Sequence, residues 1–106
     1  MVYMVYFVYI LYSEVFDKYY IGQTNSLAQR LERHNEFDNS NSYTSKYRPW
    51  LLMAFVEVGE SRGDAVKVER RLKSLKSKKA IAEFAKNTEK LVGFAQKVLS
   101  PDIASH

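Results

Sequence analysis

The stretch that decides the fold lies near the N-terminus, where residues 8–24 read VYILYSEVFDKYYIGQT. It holds four of the chain's eight tyrosines, and its first run is built from valine, isoleucine, leucine and tyrosine. Such residues fit a pleated, half-buried surface, so we predict a strand over residues 2–12 that ends at the polar pair Ser13 and Glu14. A second run of β-forming residues stops at Gly22, and we predict that it returns beside the first as a hairpin.

Size and composition indicate one globular domain in a reducing compartment. The chain has 106 residues, of which 46% are hydrophobic, and this is enough for a single core. It has no cysteine, which excludes disulfides, thiolate metal sites and cysteine nucleophiles. The apolar N-terminus has no basic residue before it and meets Glu14 well short of the roughly 20 apolar residues of a membrane span. We therefore expect a cytoplasmic protein without a membrane segment.

After the hairpin the pattern changes from strand to helix and back. Residues 24–26, Thr-Asn-Ser, supply three candidate caps for a helix that we predict over about residues 27–34. Residues 35–48 are polar, lack a period and are closed by Pro49, so we predict a long surface loop there. The run WLLMAFVEV at residues 50–58 predicts a third strand.

The C-terminal half is predicted to be helical. Residues 61–75 carry one apolar stripe at intervals of three and four, which is the mark of an amphipathic helix. The residues of this stripe are Ala65, Val68, Leu72 and Leu75. Two further helices are predicted near residues 78–86 and 88–99.

Three charged or titratable residues lie on or beside the apolar faces of these helices, namely Arg30, His34 and Glu69. A buried charge is costly unless it is paired or binds something, so the pattern has two interpretations. One is a structural pair, either Glu69 with Arg30 or Glu69 with His34. The other is a functional site at the edge of the sheet that combines these three groups with tyrosines of the hairpin.

Four segments in this order resemble the GIY-YIG nuclease superfamily, in particular its small stand-alone bacterial members. They are FVY at residues 7–9, YIG at 20–22, QTNSLAQRLERHN at 23–35 and VKVERRLKSL at 66–75. The resemblance covers residues 3 to about 80. It implies an α/β (α+β) fold with a small antiparallel three-stranded sheet flanked by helices, which agrees with the predicted elements. We expect one domain over residues 1–106, with its core at about 3–80 and a helical extension at about 81–100.

The resemblance also implies an active site. Its catalytic residues would be Tyr9, Tyr20, Arg30, His34 and Glu69, with Gly22 as the closing glycine of the second half-motif. Glu69 would hold one divalent cation, Mg²⁺ or Mn²⁺, Arg30 would grip the scissile phosphate, and Tyr9 would orient or deprotonate the attacking water. The implied reaction is metal-dependent hydrolysis of phosphodiester bonds in DNA rather than RNA, with branched, nicked or single-stranded forms as candidate substrates in repair or recombination.

Charge is unevenly placed along the chain. The net charge is +4, but residues 61–106 carry eleven Lys and Arg against five Asp and Glu, whereas residues 1–60 carry five against seven. Such asymmetry favours contact with a polyanion, although a solvated helix face gives the same counts. The predicted nucleic-acid-binding residues are Lys46, Arg48, Lys67, Arg70, Arg71, Lys73 and Lys76.

Two alternatives remain at this stage. Phe7 stands where the first half-motif has glycine, which removes backbone freedom near the site and favours a binding module of the same fold with weak or no catalysis. The other alternative is an interaction domain whose partner lies along the two C-terminal helices.

Overall fold

The computed structural model describes residues 4–36 and 43–100. Its strands are β1 (Tyr6–Ser13), β2 (Lys18–Thr24) and β3 (Leu51–Gly59). Its α-helices are α1 (Leu27–Asn35), α2 (Arg62–Ser74), α3 (Lys78–Lys86) and α4 (Thr88–Leu99), and a 3₁₀ helix spans Tyr43–Tyr47. The predicted α+β fold with three antiparallel strands is confirmed. The first residues of the predicted N-terminal strand, and residues 37–42 of the predicted loop, lie outside the described residues.

The three strands form one antiparallel sheet in the order β2-β1-β3. In the hairpin, Tyr9 lies opposite Gly22 and Leu11 lies opposite Tyr20, so all four residues are on one face. On the other side of β1, Tyr9 lies opposite Phe55. The central position of β1 therefore places Tyr9 between both neighbouring strands.

Each face of the sheet has its own apolar cluster. On one face, Val8 and Ile10 are fully buried against residues of β3 and of the three C-terminal helices. The members from those helices are Ala65, Val68, Leu72, Ile81, Phe84, Ala85, Leu91, Ala95 and Val98. On the other face, Tyr9, Leu11 and Trp50 form a smaller cluster that α1 covers. The apolar residues of α3 and α4 are thus used within the main core.

Side-chain caps define the starts of the helices. Ser26, Ser61 and Ser77 each accept a hydrogen bond from the backbone N–H three residues later, and Asn87 does so at the start of α4. Such a bond satisfies one of the four N–H groups that a helix start leaves without an internal partner. Of the three candidate caps before α1, the structure selects Ser26.

The prediction that Leu75 belongs to the buried stripe of α2 is wrong. Leu72 is fully buried, but Leu75 is 40% exposed. The helix ends at Ser74, and Lys76 turns the chain with a φ of 49°. The stripe ends with the helix because the turn removes the next residue from the core face.

The prediction of a surface loop over residues 35–48 is also wrong in part. Thr44 and Ser45 lie in the 3₁₀ helix and are 4% and 7% exposed. The Trp50 Nε1–H donates to the Thr44 carbonyl over 2.7 Å, and the Trp50 N–H donates to Asn35 Oδ1 over 2.7 Å. These bonds draw the segment onto the small cluster beneath α1.

No helix in the described ranges has the length and apolar character that crossing a bilayer would require.

Candidate active site

Tyr9 lies at the centre of the candidate site. It is on the middle strand, its side chain is only 2% exposed, and its hydroxyl lies 3.0 Å from His34 Nε2. Burial raises the pKa of the Tyr9 hydroxyl well above its usual range. Smaller electrostatic effects come from Tyr20 and Glu69, which raise this pKa further, and from Arg30, which lowers it. Each of the other four predicted catalytic residues therefore either contacts Tyr9 or shifts the pKa of its hydroxyl.

Gly22 makes room for the Tyr9 hydroxyl. The two residues are opposite one another in the hairpin, and a Cβ atom at residue 22 would lie 2.3 Å from the Tyr9 Oη. Real Cβ contacts are never so short, so any side chain at this position displaces the tyrosine. The space that the missing side chain leaves is thus occupied by a tyrosine ring of the same chain.

His34 connects Tyr9 to the 3₁₀ helix. Its Nδ1 lies 2.8 Å from Thr44 Oγ1, while its Nε2 faces Tyr9. Burial, and to a lesser degree the charge of Arg30, lower the pKa of His34 to about 4. The imidazole is therefore neutral near pH 7, and each of its nitrogen atoms has one hydroxyl partner.

Thr44 is the site residue that sequence reasoning missed. It lies in a polar segment without a period, so no local pattern distinguishes it from the serines and asparagines around it. Its place is apparent only in three dimensions, where the Trp50 indole binds the Thr44 carbonyl and the Thr44 hydroxyl contacts His34.

Tyr20 completes an aromatic group around the imidazole. Its ring centroid lies 4.8 Å from that of His34, 6.5 Å from that of Tyr9 and 6.2 Å from that of Trp50. Tyr20 is half-buried, whereas Tyr9 is almost fully buried, so Tyr20 forms the more accessible wall of the site.

Arg30 lies on the exposed side of α1 and beside a second, polar pocket of about 180 Å³. Arg62, from the first turn of α2, lines the same pocket. Within the described part of the chain Arg30 forms no ion pair, so its guanidinium is available for a ligand. The interpretation that Arg30 pairs with Glu69 is wrong for these residues.

Glu69 pairs with a residue of its own helix. Its Oε2 lies 2.9 Å from the Lys73 Nζ, one helical turn later. Among the described residues this is the ion pair that Glu69 forms, so the predicted alternative pairing with His34 is also wrong. The i,i+4 spacing of glutamate and lysine was visible in the sequence and could have identified this partner.

The donor set at Glu69 fits one hard divalent cation. The Glu69 side chain is 18% exposed, so its carboxylate is accessible from outside. No cluster of three or more potential metal-ligating side chains occurs over residues 4–36 and 43–100. Mg²⁺ commonly binds through one or two carboxylates and keeps several waters, and a single accessible glutamate meets this requirement.

The residues predicted to bind nucleic acid are not in one place. Three of them, Lys67, Arg70 and Arg71, are exposed on α2. Lys46 is exposed on the 3₁₀ helix. Arg48 is half-buried, and its Nη1–H donates to the Glu36 carbonyl. The remaining two, Lys73 and Lys76, line a groove of about 430 Å³ beside β2.

Phe7, which replaces the glycine of the first half-motif, packs edge-to-face against Phe55 of β3, with ring centroids 6.0 Å apart. The strand continues through Phe7 with regular pairing to β2. The bulky side chain is therefore accommodated on the β3 side, away from the Tyr9–Gly22 contact on β2.

Comparison with protein-family models gives one match, to the GIY-YIG catalytic domain, over residues 5–82. The match covers more than two thirds of the 106 residues. The chain belongs to the GIY-YIG family. GIY-YIG domains are nuclease domains that act on DNA and typically use divalent metal ions, so the chain has a nuclease-type function on nucleic acid. Searches of curated proteins and of solved structures found no match.

Membership in the GIY-YIG family gives the two half-motifs their place in this structure. The first half-motif, Phe7-Val8-Tyr9, lies on β1, and the second, Tyr20-Ile21-Gly22, lies on β2. Antiparallel pairing puts the tyrosine of the first directly opposite the glycine of the second. The hairpin of this GIY-YIG domain thereby places the Tyr9 phenol over the backbone of β2 at Gly22.

Proposed function

We propose that the protein is a metal-dependent endonuclease that hydrolyses phosphodiester bonds in DNA. The observation that carries this proposal is the chain of contacts from Tyr9 to His34 and from His34 to Thr44. The Tyr9 ring at its start lies over Gly22. Hydrolysis of a phosphodiester needs an activated water, neutralised phosphoryl charge and a stabilised leaving group. The five candidate residues can supply these functions together.

Tyr9 and His34 are proposed to activate the water. Because burial raises the pKa of Tyr9, its hydroxyl keeps its proton near pH 7 and is not a resident base. In the tautomer with a proton on Nδ1, His34 donates to Thr44 Oγ1 and accepts from Tyr9 at Nε2. Tyr9 can then take a proton from water while it passes its own to His34. The Thr44 hydroxyl can accept this hydrogen bond, so it supports the tautomer that the transfer requires.

Arg30 and Tyr20 are proposed to bind the scissile phosphate. A guanidinium presents donors in a planar fork that matches phosphate oxygens, and Arg30 forms no competing ion pair among the described residues. The half-buried Tyr20 ring lies against His34, so its hydroxyl is placed to donate to a phosphate oxygen or to the water. The two groups would hold the phosphorus in line with Tyr9.

Glu69 is proposed to hold the cation. When bound, Mg²⁺ or Mn²⁺ supplies positive charge that stabilises the leaving oxygen and the phosphoryl group. Glu69 must exchange Lys73 for the cation, because one carboxylate oxygen now faces the lysine ammonium group. The exposed Lys73 side chain can then move to the substrate.

The test is a cleavage assay with Mg²⁺ or Mn²⁺ on single-stranded, duplex, nicked and branched DNA. It compares the parent with Glu69→Gln and Tyr9→Phe, and Glu83→Gln serves as the control because Glu83 is an exposed glutamate that pairs with Lys90 on another helix. We expect cleavage by the parent and by Glu83→Gln, and a loss of about 100-fold or more in the other two variants. Equal cleavage by all four proteins would disprove the proposed site. Binding without cleavage by the parent would favour the alternative of a catalytically weak binding module.

A further inference from the structure

A groove of about 430 Å³ lies between the edge strand β2 and the junction of α2 with α3. Its lining includes four lysines, Lys18, Lys73, Lys76 and Lys78, and the two neighbouring tyrosines Tyr19 and Tyr20. Among the cavities of the described residues it is much larger than the polar pocket beside Arg30. The groove is thus both basic and aromatic.

The charge of the groove is only partly neutralised within the protein. Asp17 is the acidic residue in its lining, and its carboxylate pairs with Lys78 over 2.5 Å. Lys73 pairs with Glu69 at the candidate site. Lys18 and Lys76 form no ion pair with any residue in the described ranges. Neither lysine has a carboxylate partner there: the Lys18 ammonium group lies 5.0 Å from the centroid of the Tyr47 ring at the rim of the groove, and Lys76 is exposed.

The groove and the candidate active site share residues. Tyr20 lines the groove and packs against His34, and Lys73 lines the groove and pairs with Glu69. Lys73 also lies 5.8 Å from the centroid of the Tyr20 ring. A chain that followed the groove would therefore arrive at the phosphate position between Tyr20 and Glu69.

Two turns beside the groove each place a non-glycine residue in the left-handed backbone region, which such residues seldom adopt. Asp17 and Lys76 have φ values of 53° and 49°, and they are the non-glycine residues with positive φ in the described chain. Glycine or asparagine normally occupies the position just after a helix, where Lys76 follows the cap residue Leu75. Strain of this kind is found at functional sites, where the surrounding structure maintains it. A lysine is thus kept at a position that glycine would fill more easily.

We propose that this groove binds a single strand of nucleic acid and leads it into the active site. The inference rests on the proposed nuclease function and names the form of its substrate. Grooves for single strands combine ammonium groups that follow the phosphates with aromatic rings that stack on bases, and the lining shows both features. Such rings favour a single strand, whose bases are free to stack on them, over a duplex, whose bases already stack on one another. Lys18 and Lys76 contact phosphates on one side of the scissile bond, and Tyr19 and Tyr20 provide the rings for the bases.

The experiment measures binding of the full-length protein to fluorescein-labelled oligothymidylate by anisotropy over a range of salt concentrations. EDTA is present, so that no cleavage takes place. The groove variant carries Lys18→Ala and Lys76→Gly, and the second change also relieves the positive φ, so that the variant is expected to fold. The matched control carries Lys86→Ala and Lys97→Ala, which remove the same charge from exposed positions outside the groove.

For a single strand, the slope of log K against log salt is about −0.7 per phosphate contact. We therefore expect the slope of the groove variant to be less steep by about 1.4, while the control keeps the parental slope. A duplex of the same length should show no difference between the two variants. Equal slopes for both variants on the single strand, or the same change on the duplex, would overturn the proposal.

This measurement is independent of the cleavage assay. A groove-dependent slope together with an inactive parent would retain the groove as a binding site and reject the proposed nuclease function. Cleavage that depends on Glu69, with no groove dependence of binding, would reject the groove alone.

Discussion

The Tyr9 hydroxyl lies directly over Gly22, so that even a methyl group at residue 22 would come within 2.3 Å of its oxygen. The tyrosine is buried and hydrogen-bonded to His34, which leaves it little freedom to withdraw. The glycine is therefore required by the position of the buried Tyr9 phenol and not by its own backbone conformation.

We expect Gly22→Ala to destabilise the fold by about 1–3 kcal/mol, because overpacking a buried contact forces side chains from their rotamers. It should also abolish cleavage, since the displaced Tyr9 hydroxyl would leave His34. Urea unfolding and the cleavage assay measure the two effects. Gly93→Ala is the control: a Cβ there meets nothing within 4 Å, and in the middle of α4 alanine should stabilise the helix by about 0.5–1 kcal/mol. Equal stability of the two variants would show that Tyr9 is not held against Gly22.

Leu72 and Leu75 differ in burial although both fit the sequence pattern of α2. Leu72 is fully buried and Leu75 is 40% exposed. We expect Leu72→Ala to cost about 2–5 kcal/mol and Leu75→Ala less than about 1 kcal/mol, measured by urea unfolding. A similar cost for both substitutions would mean that α2 continues beyond Ser74.

Removal of Lys73 should strengthen metal binding. Because its ammonium group lies 2.9 Å from the Glu69 carboxylate, a cation must displace it. Both side chains are partly exposed, and such pairs contribute at most about 1 kcal/mol, so Lys73→Met should tighten apparent Mn²⁺ affinity by about 2- to 5-fold. Titration followed by electron paramagnetic resonance of free Mn²⁺ measures the change. Lys67→Met removes a lysine of α2 that does not pair with Glu69 and should leave the affinity at the parental value.

His34 should make the fold sensitive to mild acid. Its pKa is about 4 in the folded protein, against an ordinary value of 6.5. Between these values the unfolded chain binds a proton that the folded protein excludes, so the free energy of unfolding falls as the pH is lowered from about 6.5 to about 4. The contribution of the neutral His34 to the free energy of unfolding is fully present above pH 6.5, and its loss at lower pH amounts to at most about 3 kcal/mol.

The difference in unfolding free energy between the parent and His34→Gln isolates this effect from the titration of carboxylates. We expect this difference to shrink as the pH falls through the window. A constant difference from pH 7 to pH 4 would show that His34 titrates normally in the folded protein.

Most of the fold could be predicted because local chemistry and the final structure agree. The helices α3 and α4 begin and end at the predicted residues, since Ser77 and Asn87 cap them and the apolar period continues between the caps. The strands follow from their valines, isoleucines and tyrosines, and the hairpin follows from their proximity.

The candidate site could be predicted only in part. The motif spacing indicated Tyr9, Tyr20, Arg30, His34 and Glu69, but it could not indicate that Thr44 lies behind His34, since that contact depends on Trp50 folding back over a polar segment. The partner of Glu69, by contrast, was within reach of sequence reasoning, because Lys73 follows it by four residues on the same helix. A local partner, Lys73, is present where two distant partners were expected.

The order β2-β1-β3 has a consequence for the time at which the site forms during synthesis. Tyr9 precedes all its partners in the chain: Gly22 follows on β2, His34 on α1 and Phe55 on β3, and Glu69 follows only on α2. A nascent chain that has emerged only as far as Gly59 contains all three strands but not Glu69, the candidate cation ligand. The proposed nuclease would therefore become competent for hydrolysis only after the sheet and most of α2 have been synthesised.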